Sequence, residues 1–139
     1  MNIKEIVYEG LIKVMNDEDV DSILNNIHFV YGDGRYEPGN YVYDKDGTYY
    51  YIGVGDRGGV IEEIKSKNIE DVLYKIYSGI TFNEATKYAM VNKEKNQDWR
   101  RILFSKQLEM LRGISEQYYY KRFDEIQNIL KSSPYRDNI

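Results

Sequence analysis

The sequence contains no cysteine, only one histidine and no long hydrophobic run. Without cysteine it can form no disulfide framework, no thiol nucleophile and no thiolate metal site. Zinc bound through His28 alone would need three carboxylates around one imidazole, which is an uncommon ligand set. No apolar stretch approaches the roughly 18 residues that span a bilayer, and the first residues lack the apolar core of a secretion signal. We therefore expect no metal, no cofactor, no membrane partner and a cytoplasmic location.

An excess of basic residues is also missing, whereas tyrosine is abundant. The 139 residues include 19 Lys and Arg against 23 Asp and Glu, for a net charge of −4. Nucleic-acid binders usually carry a basic face, so this balance argues against a nucleic-acid partner. The 15 tyrosines favour a protein-binding surface, because tyrosine joins an apolar ring to a hydrogen-bonding hydroxyl. An A/T-rich genome would raise the tyrosine content as well, and both explanations stay open.

Hydrophobic periodicity predicts an α+β fold. Apolar residues at helical spacing indicate two short N-terminal helices, at Ile3–Met15 and from Asn16 onward. The period then changes to that of strands, with a type I′ hairpin turn at Asp46-Gly47. The predicted strands are His28–Tyr31, Tyr41–Tyr43, Thr48–Val54 and Val60–Ile64. The pattern therefore predicts a three- to four-stranded antiparallel β-meander.

The second half of the chain is predicted to be helical. One helix is expected from Asn68 to Gly79, and a capping box of Thr81 and Glu84 opens another that runs to about Val91. The last helix follows Ser115, and its apolar stripe consists of Tyr119, Phe123, Ile126 and Leu130. We expect this helical half to pack on the sheet and residues 1–139 to form a single domain.

The segment Asn96–Gly113 has the clearest helix signals, with Asn96 as the expected N-cap and Gly113 at the C-terminal end. Its apolar arc includes Trp99, whereas Arg101 lies on the polar face. Arg100 and Gln107 project into the middle of the apolar arc. A buried guanidinium needs carboxylate or carbonyl partners, so we predict that Arg100 either extends to solvent or cross-links this helix to another element. The alternative is that Arg100 opens into a site or interface. The predicted ion-pair partner is one of Asp33, Glu37, Asp71 and Glu84.

Catalytic machinery is not evident in the sequence. The glycine-rich stretch from Gly32 to Gly39 precedes a strand, whereas phosphate-binding loops precede a helix. An enzyme or small-molecule site could use His28, Glu37 and Arg100 only if the fold brought them together around a cleft. The loop and hairpin instead combine aromatic anchors with charges of both signs, as the centres of protein interfaces do. These interface candidates are Tyr31, Asp33, Arg35, Tyr36, Glu37, Tyr41 and Tyr43.

Several motifs between about Phe29 and Pro134 occur in a familiar order. They are a G-D-G-R-Y-E-P-G-x-Y loop, a tyrosine-rich hairpin, L-Y-x-I-Y-x-G-I-T-F, Q-D-W-R-R-I-L-F-x-K-Q-L-E-M-L and E-I-x-x-I-L-K-x-x-P-Y. Together they resemble the immunity protein 63 family of bacterial polymorphic toxin systems. The resemblance implies an α+β protein that binds and neutralises the C-terminal domain of a cognate toxin, without catalysis.

The resemblance adds a second group of site candidates, which match the family pattern on the central helix. They are Trp99, Arg100, Arg101 and Gln107. The expected partner is a protein, and the chain itself is expected to be a monomer or a weak homodimer. The alternative function is a small-molecule-binding or regulatory adaptor domain without catalysis.

Overall fold

The fold is α+β in the residues that the computed structural model describes, 1–31 and 37–138. These residues group into two units, Met1–Ile76 and Tyr77–Ile139. The elements, in chain order, are α1 (Ile3–Leu11), α2 (Asp17–Leu24), β1 (Ile27–His28), β2 (Gly39–Lys45), β3 (Thr48–Val54), β4 (Val60–Ser66), α3 (Ile69–Asn92), α4 (Arg100–Ile114) and α5 (Glu116–Ser132). The single-domain organisation stays a prediction.

The first unit begins with two capped helices. The side-chain oxygen of Asn16 accepts a hydrogen bond from the Asp19 N–H at 2.8 Å, which confirms the predicted start of α2. Helix α1 ends at Leu11 rather than at the predicted Met15, because the chain turns before the new cap. The two helices bury an apolar stripe that includes Val7, Leu11, Val20 and Leu24.

The sheet has the order β1-β2-β3-β4. Strands β2, β3 and β4 form the predicted antiparallel meander. Asp46 and Gly47 have φ values of 53° and 77°, as a type I′ turn requires. Strand β1 instead pairs parallel with β2, so the sheet is mixed and the purely antiparallel prediction was wrong. Periodicity within each segment does not show in which direction two strands pair, so the sequence pattern could not reveal this parallel pair.

Helix α3 is continuous from Ile69 to Asn92, which corrects the predicted break at Gly79. Gly79 is exposed inside the helix, where it costs about 1 kcal/mol relative to alanine. Burial of the neighbouring Tyr77 and Ile80 outweighs that cost. Thr81 does not cap a new helix, because its hydroxyl donates to the Tyr77 carbonyl oxygen at 2.7 Å within the same helix.

The second unit packs α4 and α5 around a core of Ala85, Ala89, Leu103, Phe104 and Ile126. Helix α4 begins at Arg100, four residues later than the cap predicted at Asn96. Asn96 has a φ of 64° and lies in the turn before the helix. In the part of the chain that the structure describes, no helix is both long and apolar enough to cross a membrane.

Candidate functional site

Strand alternation places the hairpin tyrosines on two faces of the sheet. Tyr43 lies opposite Tyr50 across β2 and β3, and the two rings stack with centroids 4.8 Å apart. His28 stacks on Tyr41 on the same face, at 4.5 Å. We call this surface the aromatic face, and it consists of His28, Tyr31, Tyr41, Tyr43 and Tyr50. Tyr49 and Tyr51 point to the opposite face, because successive side chains alternate along a strand.

Tyr31 is the most accessible tyrosine of the aromatic face. Its ring meets Tyr43 edge-on at 5.2 Å, and 54% of the residue is exposed, whereas Tyr41 and Tyr43 are buried. The ammonium group of Lys45 lies 4.3 Å from the Tyr31 ring centroid, within cation–π range. Tyr31 is therefore an aromatic anchor held in place by Tyr43 and bordered by a positive charge.

The structure brings together four of the seven predicted interface candidates. Tyr31, Tyr41 and Tyr43 share the aromatic face, and the Tyr41 hydroxyl donates to the Glu37 carbonyl oxygen at 2.9 Å. The remaining candidates, Asp33, Arg35 and Tyr36, lie outside the described residues. The assignment of all seven to an interface stays a prediction.

On the central helix, Arg100 makes a dense set of contacts. Its Nη2 lies 2.9 Å from Oδ2 of Asp98, and its Nε also donates to that carboxylate. Its remaining bonds go to the chain after α5, with the Ser133 and Pro134 carbonyl oxygens at 3.0 and 2.8 Å. All three guanidinium nitrogens therefore donate hydrogen bonds within the second unit. The prediction that Arg100 cross-links its helix to another element is confirmed.

The predicted ion-pair partner of Arg100 was wrong. The partner is Asp98, which precedes Arg100 by two residues. The four carboxylates predicted from the sequence were Asp33, Glu37, Asp71 and Glu84. Of these, Asp33 lies outside the described residues. Asp98 also accepts the backbone N–H groups of Arg100 and Arg136, at 3.0 and 2.9 Å. These bonds, the side-chain bond from Arg100 above all, hold the pKa of Asp98 well below its usual range.

A second ion pair completes this arrangement. Arg101 donates to Asp137 at 2.8 Å, and Asp137 accepts the backbone N–H of Asp98 at 2.9 Å. The Arg101 guanidinium lies 4.1 Å from the centroid of the Tyr135 ring. The side-chain bond from Arg101 lowers the pKa of Asp137. We call Asp98, Arg100, Arg101, Tyr135 and Asp137 the tail clamp, because they fasten the segment after α5 to the start of α4.

The sequence does not predict the tail clamp, because no helix or strand pattern continues after Pro134. The carboxylate of Asp98, two residues before Arg100, is the one local signal for the first ion pair. The spacing of Tyr135 and Asp137 carries no periodic signal. Their docking depends on contacts across 36 positions of the sequence, as the Arg101–Asp137 bond shows.

Gln107 also has a structural role. Its side chain is fully buried, and its amide nitrogen donates to the Ser78 carbonyl oxygen at 3.0 Å. Its amide oxygen accepts a hydrogen bond from Nε of Arg122 at 2.9 Å. Gln107 therefore ties α4 to α3 and α5. Trp99, which is partly buried, packs against the core of the second unit.

The proposed enzyme site of His28, Glu37 and Arg100 has little support from these contacts. The Arg100 guanidinium is saturated by Asp98 and the tail, so it has no donor directed at a substrate. The ring of His28 is stacked on Tyr41. Within residues 1–31 and 37–138, no group of three His, Asp or Glu residues could hold a metal ion.

An aromatic cluster on α5 was not predicted as a surface. The Arg112 guanidinium lies 3.8 Å from the centroid of the Tyr119 ring, which also contacts Tyr120 and Phe123. Tyr120 is 57% and Phe123 is 39% exposed, so the expected placement of Phe123 in an apolar stripe was wrong. The buried residues of α5 are Tyr118 and Ile126. We call Arg112, Tyr119, Tyr120 and Phe123 the α5 cluster.

Comparison with known families identifies one match. The model of the family described as Immunity protein 63 matches residues 45–128. The matched segment runs from the end of β2 into α5, and it includes the Q-D-W-R-R motif of the tail clamp. Tyr31, Tyr41 and Tyr43 precede it. No curated protein and no solved structure matches the chain. Because the match spans more than half of the sequence, the chain belongs to the immunity protein 63 family.

Proposed function

We propose that the protein binds the C-terminal domain of a cognate toxin and neutralises it by covering its active site, without catalysis. Membership of the immunity protein 63 family is the observation that carries this proposal. The protein would act in the cytoplasm of the cell that makes the toxin, as a monomer or a weak homodimer. Its partner is a protein, so its functional residues should form a binding surface.

The aromatic face is the surface that we propose for toxin binding. Exposed tyrosines supply large contact areas at low entropic cost, and they are enriched among residues that dominate binding energy. Tyr31 fits this role because it is half exposed and braced by Tyr43. Of the other predicted interface candidates, Asp33, Arg35 and Glu37 would add charged contacts with the toxin, and Tyr36 would add an aromatic one.

Electrostatics favour a basic toxin surface. The chain carries a net charge of −4, which would accelerate encounters with a positively charged partner through steering at low salt. Toxins that cleave nucleic acids need such a basic groove for their substrate. We therefore propose a nuclease-type toxin domain as the partner class.

Co-expression tests the proposed function directly. The toxin domain encoded next to this protein is induced in cells with and without it, and survival is measured. We expect survival only when the protein is present, and stable complex formation between the two purified chains. Equal rates of death in both cultures would contradict the proposal.

A further inference from the structure

A groove of about 560 Å³ lies beside β2 in the first unit. Its apolar lining includes Ile3, Ile27, Phe29, Val42 and Tyr43. Val42 and Tyr43 are adjacent in β2, so their side chains point to opposite faces of the sheet. Asp44 also lines the groove, and Ile27 lines it from the side of β1, so the groove runs along the edge of β2.

The same edge of β2 is only partly paired. Strand β1 contributes two residues, which pair with Asn40 and Tyr41. After Tyr41, β2 pairs only with β3 in the described part of the chain. Among the described residues, Asp44 therefore has no strand partner on the side of the groove, which it lines.

The turn that follows β2 determines which backbone groups face this open side. A type I′ turn at Asp46 and Gly47 closes on a hydrogen-bonded pair, which is Lys45 with Thr48. Hydrogen-bonded and non-hydrogen-bonded pairs alternate along an antiparallel ladder. Asp44, opposite Tyr49, is therefore in a non-hydrogen-bonded pair, and its N–H and C=O point away from β3.

The other edge of the sheet differs in chemistry. Strand β4 has exposed charged residues, Glu62, Glu63 and Lys65, and its ladder with β3 is interrupted by a register shift at Gly53/Val54. Charges and bulges are the features by which proteins protect edge strands against pairing with other chains. The edge at Asp44 carries exposed charges as well, on Asp44 and Lys45, but it differs from β4 in the apolar groove beside it and in its uninterrupted register with β3.

We propose that an extended segment of the toxin domain adds to the sheet as a strand beside β2, bonding to the backbone of Asp44. Its apolar side chains would fill the groove between Ile3, Ile27 and Val42. This inference rests on the proposed function and specifies its binding mode, which is β-strand addition. Tyr31 lines the same groove, so the added strand would be continuous with the contact made by the aromatic face.

A proline substitution tests the backbone contact. Asp44→Pro removes the N–H that points outward, and proline is tolerated in strands where the N–H does not serve the ladder. Asp44→Ala is the matched control, because it removes the same carboxylate but keeps the N–H. We expect Asp44→Pro to bind the toxin domain about tenfold more weakly than Asp44→Ala, as for the loss of one good hydrogen bond in an interface.

Amide hydrogen exchange on the wild-type complex provides a second measurement that needs no variant. We expect the Asp44 amide to become protected on toxin binding, while the amides of β4 keep their exchange rates. If the wild-type protein binds toxin but the Asp44 amide is unchanged and Asp44→Pro binds as well as Asp44→Ala, strand addition is overturned and the proposed function survives. If the wild-type protein binds no toxin, both fail.

Discussion

Tyr31 on the aromatic face and Arg100 in the tail clamp differ in how much of each residue folding leaves exposed. In the tail clamp, each guanidinium nitrogen of Arg100 donates to Asp98 or to a tail carbonyl. On the aromatic face, Tyr31 is 54% exposed and Lys45 rests on its ring. The clamp therefore fastens the chain to itself, and the aromatic face can contact another molecule.

This difference shows why residue type alone could not distinguish interface residues from residues that stabilise the fold. Arg, Trp and Tyr dominate interface energetics, and both regions contain them. An arginine can be buried only when its N–H donors form hydrogen bonds. Donors that bond within the chain are not available to a partner protein. The informative property is the number of donors and aromatic surfaces left over after folding.

The largest effect on stability is expected from Arg100→Ala. The substitution leaves the Asp98 carboxylate, whose side chain is only 8% exposed, without its guanidinium partner. Removing one partner of a buried pair costs about 3 kcal/mol, and urea unfolding measures the change. Toxin affinity, measured on the folded protein, should stay within about twofold of the wild type.

Arg101→Ala is the matched control for the tail clamp, since its ion pair with Asp137 is more exposed. We expect a smaller loss of stability from it than from Arg100→Ala. If Arg100→Ala kept wild-type stability but lost toxin affinity, Arg100 would be an interface residue and the comparison between the two regions would fail.

Acid should weaken the tail clamp. The pKa values of Asp98 and Asp137 lie below the ordinary value of 3.8, mainly because Arg100 and Arg101 donate to the two carboxylates. Below that ordinary value, the unfolded chain binds protons that the folded chain does not, so unfolding becomes more favourable. The free energy of unfolding should therefore fall as the pH drops from about 4 towards 2.

Urea titrations at several pH values measure this dependence. Asp98→Asn removes one of the two responsible carboxylates, so its stability should vary less with pH over the same range. An identical pH profile for Asp98→Asn and the wild type would show that the acid sensitivity arises elsewhere.

The smallest effect is expected from Gly79→Ala, which probes the continuity of α3. Gly79 is exposed, and an added Cβ would meet no atom within 4 Å. Alanine should therefore stabilise the helix by up to about 1 kcal/mol through its higher helix propensity. Gly47→Ala is the contrasting control, because φ at Gly47 is 77° and alanine is strained there. A loss of stability in Gly79→Ala would indicate that α3 needs a flexible residue at this point.

Local signals predicted the local structure of this fold well. The bounds of β3, the Asn16 cap and the Asp46-Gly47 turn agree with the structure, because each depends on neighbouring residues. The parallel pairing of β1 and the docking of Asp137 depend on contacts between distant residues, so periodicity could not show them. The break predicted at Gly79 failed because tertiary burial outweighed one residue's propensity.

The predicted site residues fall in two units of the structure, Met1–Ile76 and Tyr77–Ile139. Strand alternation places Tyr41 and Tyr43 on one face, and the ring of Tyr31 meets Tyr43 there edge-on. That these residues form an interface stays a prediction. On the central helix, Arg100 and Gln107 interrupt the predicted apolar arc, and their hydrogen-bond partners explain how the partly buried Arg100 and the buried Gln107 are accommodated there. The α5 cluster was missed, because an aromatic residue at helical spacing predicts burial and Phe123 is exposed.

Toxin affinity of two matched tyrosine variants tests the central claim most directly. Tyr31 on the aromatic face and Tyr120 in the α5 cluster are 54% and 57% exposed, so each can be replaced by alanine with little effect on folding. The measurement is the dissociation constant of each variant for the toxin domain. If the aromatic face binds toxin, Tyr31→Ala should weaken binding at least about tenfold, and Tyr120→Ala should change it less than about twofold. The reverse order would assign the interface to α5 and contradict the account.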